Sequence, residues 1–111
     1  MDRPTVSAAA REAYDRIASA LEPTGSTAGK MMGMPTLYAS GKAFAGLYGD
    51  AMPFKLAEPD HAAALALQGA VLFDPSGMGR PMRAWVQVPS EHAAEWRRLA
   101  EAALENGRAQ A

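Results

Sequence analysis

The spacing of apolar residues changes several times along the chain, and each change predicts a new secondary-structure element. Over residues 5–21 the apolar positions recur at helical spacing on one face, while i,i+4 charge pairs lie on the other. Glu22-Pro23 is expected to end this helix. Three apolar segments follow, separated by the turn signals Ser40-Gly41 and Gly49-Asp50. They predict an antiparallel meander with strands over 30–39, 42–48 and 51–56.

The second half of the chain shows the same kinds of pattern. A short helix is predicted over 59–68 with Leu65 and Ala66 inward, then a strand over 71–73, a loop over 74–79 and a clearly alternating strand over 81–88. The last helix has an apolar stripe and is expected to end at Asn106-Gly107. The order α-β-β-β-α-β-β-α predicts an α+β fold of two layers, an antiparallel sheet with helices on one face.

Composition limits the size and the chemistry of the protein. A length of 111 residues predicts one domain over 1–111, with residues 1–4 and 108–111 frayed. The net charge of −1 argues against broad electrostatic capture of nucleic acid but leaves room for a local basic patch. The lack of cysteine excludes disulfides and thiolate chemistry. Without a signal pattern or a long apolar run, we expect a cytoplasmic protein that does not enter a membrane.

Possible catalytic and ligand-binding motifs are each better explained by local structure. The segment 25–30 resembles a phosphate-binding loop but has three residues between its glycines and Met31 after its lysine, so a helix-to-strand loop is favoured. His61 and His92 belong to separate predicted helices, and solvated first-turn positions explain them better than a metal pair. Turn or cap roles explain Asp50, Asp60 and Asp74. We therefore predict no catalytic residue, metal site or cofactor.

A basic and aromatic set is the best candidate for a binding surface. Arg83 and Trp85 lie two residues apart, so they share one face of their predicted strand. If that face points away from the helices, cations beside an indole would suit phosphate contact with base stacking, or an acidic protein surface. The alternative is a solvated sheet face on which Trp85 covers a dimer seam or the edge of the core. The candidate residues are Lys30, Lys42, Lys55, Arg80, Arg83 and Trp85.

Two ordered blocks of residues resemble a known family. The run LYASGKAFAGLYGDAMPFKL over 37–56, and a later block before the last helix, are similar to the N-terminal domain of the TfoX/Sxy family. The similarity extends over about residues 5–104 and rests on ordered spacing. The matching positions are Met31, Gly33, Leu37, Tyr38, Gly41, Lys42, Phe44, Ala45, Tyr48 and Lys55, then Met82, Trp85, Val88 and Pro89, and finally Trp96.

The resemblance implies a fold and a relationship to bacterial regulators. It implies an α-β(3)-α-β(2)-α two-layer fold, a layout also similar to that of YjbR/MmcQ-like proteins. Family members regulate natural competence and are proposed to act with the cyclic-AMP receptor protein on DNA. They have a second, C-terminal domain, which we do not expect within this chain. Met32 and Met34 replace the usual Phe and Gly, and Arg83-Ala84 replaces Pro-Tyr, so functions that depend on those aromatic residues do not transfer.

Two functional hypotheses follow. The favoured one is a non-enzymatic binding or regulatory module that contacts a protein, a second copy of itself or, with weaker support, nucleic acid, through a sheet face or a dimer surface. The alternative is a small enzyme or small-molecule-binding protein with a cleft near the loop over 74–80.

Overall fold

One antiparallel sheet of six strands and three α-helices make up the part of the computed structural model that is described, residues 5–109. The sheet order is β1-β2-β3-β4-β6-β5. This arrangement confirms the predicted α+β fold. The elements are α1 (Ala8–Leu21), β1 (Thr27–Met31), β2 (Met34–Ala39), β3 (Lys42–Gly46), β4 (Ala51–Lys55), α2 (Asp60–Leu65), β5 (Val71–Phe73), β6 (Met82–Pro89) and α3 (Ala93–Ala109), with short 3₁₀ turns at Glu22–Thr24 and Ser90–His92.

The helices pack on one face of the sheet, as the pattern predicts. Helix α1 begins after Ser7, whose hydroxyl accepts the Ala10 N–H at 3.1 Å. Trp96 of α3 is fully buried, and its indole N–H donates to the Val88 carbonyl at 3.2 Å. Residues of all three helices and of the inward sheet positions form one apolar cluster, which is the main core.

The first predicted strand is two strands joined by a tight turn. Met32 and Gly33 connect β1 to β2 with φ of +52° and +83°. Two successive positive φ values are the geometry of a type I′ hairpin turn. Glycine is common there, but methionine at the first position gives no turn signal, so the pattern concealed the hairpin. The described chain therefore has one strand more than predicted.

A second, smaller apolar cluster lies on the sheet face away from the helices. Its buried members are Met34, Phe73 and Trp85, with Met31, Ala43 and Tyr48 packed at its margin; we call this set the second cluster. Tyr48 follows β3 and Phe73 ends β5, yet their ring centroids are 5.3 Å apart. In a flat sheet the two intervening strands would separate them by about 14 Å. The sheet therefore curves around the second cluster.

Two predicted helix details are wrong. Helix α2 covers only Asp60–Leu65; Ala64 is its buried residue, whereas Leu65 is 37% exposed and Ala66 is also exposed. In so short a helix, only one position per turn reaches the core. Helix α3 continues through Gly107 to Ala109, past the end expected at Asn106-Gly107, and the fraying expected at residues 108–109 stays a prediction. The other positions expected to fray, 1–4 and 110–111, lie outside the described residues.

Candidate functional site

Four of the six candidate site residues lie at one end of the sheet. Lys42 begins β3, Lys55 ends β4, Arg83 lies near the start of β6, and Arg80 lies in the loop that leads into β6. Because β3, β4 and β6 are successive antiparallel neighbours, these strand ends coincide. Lys42, Arg80 and Arg83 are exposed, and Lys55 is half-buried. We call these four residues the basic end.

Trp85 lies beside the basic end but below the surface. It pairs directly with Lys55 across β4 and β6. Its side chain belongs to the second cluster, 6.3 Å from the Phe73 ring between centroids, and only 6% of the residue is exposed. The indole thus lies on the face away from the helices but is closed to stacking with a base. This burial matches the alternative in which Trp85 covers the edge of a core.

Lys30 lies at the opposite end of the sheet. It pairs with Pro35 near the β1–β2 turn. There it lines a hollow of about 290 Å³ together with Arg11, Tyr48 and several apolar residues. Arg11 also forms an ion pair with Asp15 at 3.2 Å. No sequence pattern relates α1 to the β1–β2 hairpin, so the sequence did not indicate Arg11 as a neighbour of Lys30.

The loop over 74–80 is organised around the Asp74 carboxylate. Its Oδ1 accepts the N–H groups of Ser76 and Gly77, both at 3.1 Å. Its Oδ2 accepts those of Gly79 at 2.9 Å and Arg80 at 3.1 Å. The Ser76 hydroxyl, followed by these backbone donors, lowers the pKa of Asp74. The carboxylate thus shapes the loop and holds the backbone of Arg80 at the basic end, in agreement with the predicted turn role.

Both histidines contact backbone carbonyl groups. His61 Nε2 lies 2.8 Å from the Arg83 carbonyl oxygen, and His92 Nε2 lies 2.8 Å from that of Gln68. A carbonyl oxygen can only accept, so the proton must be on each Nε2. His61 thereby ties α2 to β6 at the basic end, a role that a first-turn histidine does not reveal in the sequence. Residues 5–109 contain no group of three or more acidic or histidine side chains placed to hold a metal ion.

Acidic side chains near the basic end are engaged within their own segments. One Glu58 carboxylate oxygen accepts the Ala62 N–H at 3.0 Å, and the other lies 3.7 Å from His61 Nδ1. Asp74 is held by its own loop, as described above. None of the ion pairs found between described residues joins these two acids to Lys55, Arg80 or Arg83.

Comparisons with known proteins give the chain no relatives. No protein-family model, curated protein or solved structure matches it. Among the described helices, none combines the length and the apolar character that a bilayer crossing requires.

Proposed function

We propose that this chain is a non-enzymatic binding module whose basic end contacts the acidic surface of a partner protein. The observation that carries the proposal is the convergence of Lys42, Lys55, Arg80 and Arg83 from separate segments at one sheet end. Glu58 and Asp74 are bound within their own segments, and neither forms an ion pair with Lys55, Arg80 or Arg83, so these three cations can contact an external anion. Complementary charge is a common basis of specific and rapid association between proteins.

The environment of the titratable groups favours binding over catalysis. Catalysis by a histidine or carboxylate needs that group within hydrogen-bond reach of a substrate. Here Asp74 accepts four backbone N–H groups, and both histidines contact backbone carbonyls. These side chains are therefore already engaged in hydrogen bonds that stabilise the fold. The small-molecule alternative near the 74–80 loop receives less support for the same reason.

Nucleic acid is a second candidate partner. Exposed Arg80 and Arg83 have the chemistry to contact phosphates. Against this, the net charge is −1, and burial of Trp85 removes the aromatic platform on which bases would stack. An acidic protein surface requires cations only, so it is the better fit.

The relationship to the TfoX/Sxy N-terminal domain is part of the same proposal. The order of elements along the chain supports this relationship. A helix, a meander, a helix, a hairpin and a helix follow one another, which is the layout that the resemblance implies. Strand β1 is an addition to that layout.

A salt titration with a matched pair of double variants tests the proposal. The probes are polyglutamate, duplex DNA, RNA and lysate proteins, captured on the immobilised chain. The variant Lys42→Ala/Arg83→Ala removes two cations of the basic end. The control Arg16→Ala/Arg97→Ala removes two cations that line a groove between α1 and α3. We expect salt-sensitive polyglutamate and protein binding that the first variant loses and the control keeps.

Other outcomes would change the conclusion. Equal losses in both variants would show that binding follows overall charge and not the basic end. If DNA binds instead, and the first variant lowers the slope of log K against log salt by about 2, the partner is nucleic acid. If none of the probes binds in a way that depends on Lys42 and Arg83, the binding role of the basic end is refuted.

A further inference from the structure

The outer edge of β1 presents backbone groups that the sheet does not use. The Leu47 N–H donates to the Pro35 carbonyl at 3.0 Å, so the Pro35 carbonyl points towards the β3 side of β2. Alternation then turns Met34, Thr36 and Tyr38 towards β1, where they pair with Met31, Gly29 and Thr27. The N–H and C=O groups of Ala28 and Lys30 therefore point away from the sheet.

This edge is more open to pairing than the other one. Strand β5, at the opposite edge, has three residues, whereas β1 has five, contains no proline and is exposed from Thr27 to Lys30. The Tyr38 ring crosses Gly29 and its hydroxyl donates to the Lys30 carbonyl at 3.2 Å. A carbonyl oxygen has two lone pairs, so this oxygen can accept a second hydrogen bond.

We propose that a second copy of this chain pairs with β1 along this edge, antiparallel and with Gly29 opposite Gly29. In that register Ala28 of each copy faces Lys30 of the other as a hydrogen-bonded pair. The two pairs give four backbone hydrogen bonds and join two six-stranded sheets into one. The proposal involves an edge remote from the basic end, so it is independent of the proposed function.

Other registers are less favourable. Moving the centre of symmetry to Lys30 places two lysines directly opposite each other, which is unfavourable. Moving it to Ala28 places Lys30 opposite Ser26, whose N–H already donates to the Leu21 carbonyl at 3.3 Å. Only the register centred on Gly29 uses both outward-facing residues of each copy.

A hollow beside Ala28 fits the lysine that this register brings in. The hollow measures about 140 Å³ and is lined by Ala18, Ser19, Glu22, Ser26 and Ala28. The Ser26 hydroxyl is buried there and has no hydrogen-bond partner among the described residues. Lys30 is on the same side of β1 as Ala28 and Ser26, because they alternate.

The paired lysine would complete this hollow. Side chains directly opposite on adjacent strands lie about 5 Å apart at Cβ, so Lys30 of the second copy enters the hollow beside Ala28. Its ammonium group can then pair with the Glu22 carboxylate and donate to the Ser26 hydroxyl. By symmetry, the contact occurs twice in the dimer.

Sedimentation velocity over a range of protein concentrations tests the dimer. We expect the wild type to self-associate and Ala28→Pro, which removes an outward-facing N–H, to be monomeric with an unchanged far-ultraviolet circular dichroism spectrum. Lys30→Glu and Glu22→Lys should each raise the dimer dissociation constant by roughly tenfold or more. Combining them should restore dimerisation, because the ion pair is re-formed with its charges exchanged. Lys42→Glu, an equal charge reversal at the basic end, should leave the dimer unchanged.

Three results would overturn the proposal. One is a wild type that stays monomeric at every concentration. Another is a dimer that persists in a folded Ala28→Pro variant, since pairing along this edge would then not hold it. The third is a double charge exchange that fails to restore association, which would refute the contact between Lys30 and Glu22.

Discussion

The two faces of the sheet are buried by different means. On one face, three helices cover the strands and bury large side chains such as Trp96, Phe44 and Phe54 almost completely. On the other face, Met34, Phe73 and Trp85 are nearly as buried, although the helices pack against the main core and not against this face. Curvature of the sheet covers the second cluster. Alternation along a strand thus assigns residues to a face, but it does not show whether that face meets solvent.

The two tryptophans give the strongest test of this comparison. Trp96→Ala should lower the free energy of unfolding by about 4–5 kcal/mol, because it leaves a cavity in the main core and removes the bond to Val88. Trp85→Ala should cost about 3 kcal/mol, since a curved sheet with one layer can relax around the gap. Urea denaturation measures both values. Equal costs would mean that the second cluster is as tightly constrained as the main core.

A glycine on the curved face provides a test of intermediate size. A Cβ at Gly46 would lie 2.9 Å from the Met34 terminal methyl and 3.0 Å from the Pro35 carbonyl oxygen. The methyl group can move but the backbone oxygen cannot, so Gly46→Ala should destabilise by about 1–3 kcal/mol. Gly107 in α3 has no atom within 4 Å of such a Cβ. Gly107→Ala is therefore the control, expected to stabilise by about 1 kcal/mol. Similar effects at both positions would contradict the close packing at Gly46.

Asp74 should make the stability of the loop over 74–80 sensitive to acid. Its pKa is lowered in the folded state by the Ser76 hydroxyl and the loop N–H groups. The bonds therefore stabilise the fold fully above the ordinary aspartate range and are lost as the pH falls below about 4. Asp74→Asn should flatten this part of the pH dependence, which urea midpoints at several pH values would show. An unchanged acid profile would mean that the carboxylate does not stabilise the loop.

The smallest effect is expected inside the main core. The Tyr14 hydroxyl is buried and has no hydrogen-bond partner among residues 5–109, and burial raises its pKa. Tyr14→Phe should change stability by less than about 1 kcal/mol and in the stabilising direction. The raised pKa also means that the wild type loses stability above about pH 10, where the unfolded chain ionises first. Tyr14→Phe should lose less stability than the wild type in this alkaline range. A marked destabilisation would reveal a hydrogen bond to this hydroxyl.

The fold class was predictable because strong periodic patterns fix the faces of the elements. The apolar stripe predicted α3 and the alternation predicted β6, and Trp96, Val86 and Val88 of these elements are buried in the main core. The β1–β2 hairpin was missed because its turn depends on a methionine with positive φ, which is unusual outside glycine. The extent of α3 was underestimated because Gly107 lies inside the helix and not after it.

The candidate site was only partly predictable. Sequence order could place Arg83 beside Trp85, but the grouping of Lys42, Lys55 and Arg80 with them depends on strand order in the sheet. Lys30 was predicted as part of the same set, yet it lies at the far end, because it is next to the β1–β2 turn whereas Lys42 is next to the β2–β3 turn. The burial of Trp85 depends on sheet curvature, and no local pattern in the sequence specifies it. Whether these residues bind a partner stays a prediction.

The β1–β2 hairpin has a chemical consequence that follows from two of its methionines. Met32 at the tip of the turn is 89% exposed, whereas Met34, two residues later, is 7% exposed. Peroxide should therefore convert Met32 to its sulfoxide quickly, while Met34 reacts only when that part of the protein transiently opens. Peptide mass spectrometry can follow the oxidation of both residues. The rate at Met34 relative to that at Met32 would then report how often this part of the sheet opens.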